Sequence, residues 1–63
     1  MVTLYQYRQK TEIARRTGEA ILQDGCRLRY YRRGCGEVWS IRDKHGNTID
    51  TADTPEALEY LFD

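Results

Sequence analysis

At 63 residues, with ten basic and ten acidic side chains and a formal net charge of zero, the chain makes one domain at most. So short a chain buries only about 60% of its extended surface, which leaves little material to wall a deep cleft and points away from an enzyme. Apolar residues make up 40% and charged residues 32%, as in a folded protein, and no apolar run is long enough for a membrane span or a signal peptide, so the expected location is the cytoplasm.

The charges are unevenly spread along the chain. Residues up to Arg33 include eight Lys or Arg against three Asp or Glu, and those from Gly34 onward include two against seven. A chain polarised in this way can offer one half to an anionic partner, pair head-to-head with a copy of itself, or neutralise itself on folding.

Met1 to Tyr5 alternate weakly, which fits either a short edge strand or the start of the first helix. From about Gln6 to Gln23 the spacing predicts a helix. Tyr7, Ala14, Thr17, Gly18 and Ile21 share one side, Ile13 and Leu22 flank it, and Arg8, Glu12, Arg15, Arg16 and Glu19 form the wet side. Asp24-Gly25 reads as its stop, and Gly18 as an interior glycine that costs about 1 kcal/mol unless it allows close packing.

Cys26 to Thr51 reads as three antiparallel strands. A two-residue type II′ turn at Gly34-Cys35 pairs Arg32 with Glu37, Tyr30 with Trp39 and Leu28 with Ile41. Cys26, Leu28, Tyr30, Trp39 and Ile41 then share a core face, while Arg27, Arg29, Tyr31, Arg33, Val38, Ser40 and Arg42 share the opposite one. Asp43 to Asn47 fits a three-residue turn with Gly46 at its bulge position. That turn is expected to pair Ile41 with Ile49, placing Ile49 and Thr51 on the core face and Thr48 and Asp50 outside.

Thr54 and Pro55 mark the start of a last short helix, with Glu56 in its first turn. Its expected buried stripe is Ala57, Leu58, Leu61 and Phe62, and its wet side is Glu56, Glu59 and Asp63. The expected fold is therefore a single α+β domain, α-β-β-β-α, with a three-stranded antiparallel sheet and both helices on the Trp39 face.

Few residues carry the signature of chemistry. Cys26 and Cys35 sit at opposite ends of one expected strand, beyond the roughly 7 Å between alpha carbons that a disulfide tolerates. Cys26 reads as a small core residue and Cys35 as an exposed thiol. His45 is the only histidine and lies in the turn opposite Cys35, which argues against both a zinc site and a Cys-His nucleophile. No phosphate-cradling glycine motif and no converging pair of carboxylates is evident. Neither a cofactor nor a metal is expected.

The surfaces are more informative. Arg27, Arg29, Arg33 and Arg42 gather around Tyr31 on the outer sheet face, a mixture suited to phosphates and bases or to a protein interface. The bland reading is a solvated face whose charge Asp50 and Glu37 partly offset. Thr11 to Gly18 looks locally like part of a helix-turn-helix, but no second helix follows for it to dock.

Three antiparallel strands followed by a helix entered through Asp53-Thr54-Pro55-Glu56-Ala57-Leu58 resembles the amino-terminal DNA-binding domains of tyrosine recombinases and the related AP2-like fold. That resemblance spans Cys26 to Phe62 and implies that the sheet face enters the major groove through Arg27, Arg29, Tyr31 and Arg42. The order α-β-β-β-α also resembles double-stranded RNA-binding domains, although Thr54-Pro55-Glu56-Ala57 stands where they carry a lysine-rich helix start. Both likenesses rest on element order, and neither assigns a family. The expected function is that of a small non-enzymatic regulatory or inhibitory protein that binds another protein or a copy of itself. The alternative is a nucleic-acid-binding module using the basic sheet face, against which the zero net charge counts.

Overall fold

A computed structural model, which describes residues 2–22 and 24–62, begins the first helix, α1, at Leu4 and ends it at Thr17. Thr3 caps it. The Thr3 hydroxyl accepts from the Gln6 N–H at 3.1 Å, and the Gln6 side-chain oxygen accepts from the Thr3 N–H at 2.9 Å. This reciprocal cap decides between the two readings of the amino terminus in favour of helix.

The helix ends at Thr17 with Gly18 as its cap, six residues before the expected end at Gln23, which itself lies outside the described residues. Gly18 has φ +94°, and its N–H donates to the Ala14 carbonyl at 2.7 Å. A side-chain-bearing residue would be destabilised there by about 1–2 kcal/mol, so the glycine that helical periodicity treats as an interior defect is the cap.

Glu19–Ile21 then forms a strand, β1, antiparallel to β2 at Arg27–Arg33. With β3 at Gly36–Arg42 and β4 at Thr48–Ala52, the sheet has four strands in the order β1-β2-β3-β4. The expected three-stranded α-β-β-β-α fold is thereby corrected to one helix, four antiparallel strands and a closing 3-10 helix. Three residues are too few for period-two alternation to stand out, and Glu-Ala-Ile-Leu continues a helical pattern equally well. Asp24-Gly25 accordingly turns the chain between β1 and β2. Gly25 has φ +88°, and the Leu22 N–H donates to the Cys26 carbonyl at 2.8 Å across that turn.

The central hairpin has the expected register, with Arg32 opposite Glu37, Tyr30 opposite Trp39 and Leu28 opposite Ile41. Gly34 has φ +61° and, among the described residues, no non-glycine residue has positive φ, as a type II′ turn requires. The turn between β3 and β4 also forms: Asp43 N–H donates to the Asn47 carbonyl at 2.9 Å, and Gly46 takes φ +89°. Past it, the expected pairing fails. Arg42 faces Thr48, but Ile41 faces Asp50 and Trp39 faces Ala52, because β4 carries one extra residue. Ile49 occupies this bulge and is 48% exposed, so Ala52 packs against the core in place of Thr51.

The core consists of Val2, Tyr7, Ala14, Ala20, Leu22, Leu28, Trp39, Ile41 and Leu58, between the sheet and the elements that cover it. Thr17 and Ile21, expected on the buried side of a longer helix, are exposed. The last element, η1 at Glu56–Leu61, is a 3-10 helix without a side-chain cap. Its three-residue period aligns Pro55 and Leu58, which are buried, whereas Leu61, expected in the buried stripe, is 37% exposed and Ala57 faces out. The expected exposure of Asp63 falls outside the described residues. Tyr7 joins the two covering elements: its hydroxyl donates to the Pro55 carbonyl at 2.5 Å, and its ring stacks on Phe62 at 4.4 Å. Among the described residues, no helix is long and apolar enough to cross a membrane.

Candidate interaction face of the sheet

Alternation along β2 and β3 sends Leu28, Tyr30, Trp39 and Ile41 toward α1, and Arg27, Arg29, Tyr31, Arg33, Val38, Ser40 and Arg42 to the other side. The five residues singled out from the sequence, Arg27, Arg29, Tyr31, Arg33 and Arg42, therefore share one face. Arg27, Arg29, Tyr31 and Arg33 are exposed, Tyr31 to 51%, and Arg42 is half-buried. β1 extends this face with Glu19 and with Ile21, which is 60% exposed.

Glu19 is the residue that sequence reasoning misplaced. Assigned to a helix, it belonged to a distant wet surface; on β1 it stands opposite Arg29. Its carboxylate lies 3.6 Å from Arg29 Nε and 3.9 Å from Arg27 Nη1. The signal that could have found it was Gly18 read as a helix stop. Glu37 and Asp50, expected to offset this charge, are engaged elsewhere. Glu37 accepts from Trp39 Nε1 at 3.0 Å and pairs with Arg15 at 3.4 Å, while Arg15 lies 5.1 Å from the Trp39 ring centre. Asp50 accepts from the Tyr60 hydroxyl and the Thr51 N–H. Arg15 is thus part of the fold's packing, and α1 leads into a strand rather than a second helix.

Arg33 and Arg42 have no ion-pair partner among the described residues. Arg42 stands directly across from Arg27, with Thr48 on its other side, and its Nε is buried without a hydrogen-bond acceptor.

Both edges of the sheet are capped by side chains. Gly18 and Leu22 bond inward to β2, so the Glu19 carbonyl between them points off the β1 edge, where the Thr17 hydroxyl donates to it at 2.8 Å. On β4, the Asp50 carboxylate accepts from the Thr51 N–H at 2.8 Å. These local bonds compete with strand addition and leave the open face as the larger unclaimed surface.

Other sites are poorer. Both cysteines are free thiols: Cys35 is exposed at the β2–β3 turn, and Cys26 packs against the core, where burial first and the nearby Asp24 second push its thiol up. A groove of about 400 Å³ between α1 and η1 is lined by Arg8, Glu12, Arg15, Glu56 and Glu59, with an Arg8–Glu59 ion pair of 3.1 Å across it. Among the described residues, no group of three or more His, Cys, Asp or Glu could hold a metal ion. Comparison with protein-family models, with curated proteins and with solved structures finds no match to this chain.

Proposed function

We propose that the chain is a small, non-enzymatic regulatory or inhibitory protein of the cytoplasm whose open sheet face binds another protein. The observation that carries this reading is Tyr31, half exposed between Arg29 and Arg33 on an uncovered face that also holds Arg27 and Arg42. Tyrosine and arginine are the residue types that most often anchor protein interfaces, because each brings a large contact area with a polar end. Ile21 and Val38 add apolar surface to the same side.

Glu19 favours a protein partner over nucleic acid. A nucleic-acid face gains affinity from each free cation it sets against a phosphate, and here one carboxylate already sits between two of the four arginines. The overall charge of zero acts in the same direction.

The test is capture from the source cells with tagged protein under reducing conditions, comparing wild type with Tyr31→Ala and Arg29→Ala. A discrete protein retained by wild type, and bound at least about tenfold more weakly by Tyr31→Ala, supports the reading. Duplex DNA, single-stranded DNA or structured RNA that stays bound at physiological salt and is lost on Arg29→Ala overturns it in favour of the nucleic-acid module.

A further inference from the structure

We infer that Arg27 and Arg42, with Thr48 beside them, form an anion site that receives a single carboxylate from the bound protein. This rests on the proposed protein-binding face and names the chemistry of its partner there. The three residues lie in one row across β2, β3 and β4, Arg27 opposite Arg42 and Arg42 opposite Thr48. Two like charges directly opposite on one sheet face repel, so the arrangement is unfavourable in the free protein unless an anion bridges it. The second observation is the Arg42 Nε, a charged donor that is buried and has no acceptor among the described residues. A donor removed from water and left unpaired is destabilising, and a shift of the guanidinium toward an incoming carboxylate would give it an acceptor. The guanidinium fork matches a carboxylate through two parallel N–H···O bonds.

Glu19 shows what kind of anion fits. Its carboxylate already lies against Arg27 and Arg29, at 3.9 and 3.6 Å, so a carboxylate is accommodated among these guanidinium groups. Those distances are longer than the roughly 2.7–2.9 Å of a good charge-assisted bond, which leaves Arg27 with donors to spare. Arg42 is not reached by Glu19 at all. Glu19 lowers the net positive charge on which a phosphate, with up to two charges, would draw more than a single carboxylate does.

The experiment follows the Arg42 Nε–Hε resonance of the full chain by nitrogen-15 NMR during titration with a glutamate-rich peptide, and separately with inorganic phosphate. The expected result is a saturable shift of that resonance with the peptide, at lower concentration than with phosphate. Binding should be at least tenfold weaker for Arg42→Gln and also weakened for Arg42→Lys, which keeps the charge but lacks the fork. Because Arg42→Gln removes the repulsion from Arg27, its denaturation midpoint should match or exceed that of wild type. An unmoved resonance, unchanged peptide binding by Arg42→Lys, or tighter binding of phosphate than of peptide would each overturn the carboxylate site. If capture of the cellular partner depends on Tyr31 but not on Arg42, the protein-binding face stands and this site falls. If it depends on neither, both fall.

Discussion

At Tyr7 a buried phenol is held between two elements by its hydrogen bond to the Pro55 carbonyl and by its stack on Phe62. Burial first, then the carboxylates of Glu59 and Glu56, push this phenol far above its ordinary value of 10. The sign of the linkage follows directly. The folded protein holds the proton to higher pH than the unfolded chain does, so the contribution is complete below the unfolded value and is lost as pH rises above it. Tyr7→Phe should lower stability at neutral pH by about 1–3 kcal/mol through the unpaired Pro55 carbonyl, and should also flatten the loss of stability above pH 10. Urea denaturation of both proteins at neutral and alkaline pH measures the two effects. Much at this scale was legible in the sequence: Tyr7, Ala14, Leu28, Trp39, Ile41 and Leu58 were all expected in the core, and all are buried. The partners of Glu19, Glu37 and Asp50 were not legible, because each depends on which element carries the carboxylate and which way its backbone faces.

Among the elements, the turns at Gly34 and Gly46 were legible, whereas the β1–β2 turn at Gly25 was read as a helix stop and short or irregular pieces were missed. Gly34 and Gly46 specify their turns through positive φ, and the β2–β3 register follows from the first of them. The bulge at Ile49 leaves no such mark, since an inserted residue changes the pairing without changing the composition of the strand. Its consequence can be measured with two substitutions that a regular register would make equivalent. Ile41→Ala should destabilise by about 2–5 kcal/mol, as for a fully buried aliphatic residue, whereas Ile49→Ala should stay within about 1 kcal/mol. Equal losses would restore the pairing of Ile41 with Ile49. The 3-10 helix was missed for a related reason. Pro55 and the following residues fit either helical period over so short a run, so the sequence does not choose between them.

For the whole molecule, the charge polarity of the chain is not mirrored by two separate surfaces. Arg8 pairs with Glu59 and Arg15 with Glu37, so two of the helix arginines are matched by carboxylates of the second half, while Arg27, Arg29, Arg33 and Arg42 gather on the outer sheet face. The order β1-β2-β3-β4 also places every strand beside its neighbour in sequence. Every strand pairing closes a short loop, whereas the Tyr7–Pro55 and Arg8–Glu59 contacts join residues 48 and 51 positions apart. Because closing a short loop loses less entropy, the hairpins are expected to form before the chain ends meet. The clasp between α1 and η1 is then a brake on opening rather than a guide to folding. Tyr7→Phe should speed unfolding by about five-fold for each kcal/mol lost, with the folding rate nearly unchanged. Stopped-flow measurement across a range of urea concentrations would show this as movement of the unfolding limb alone, and a slowed folding limb would place the clasp in the transition state instead.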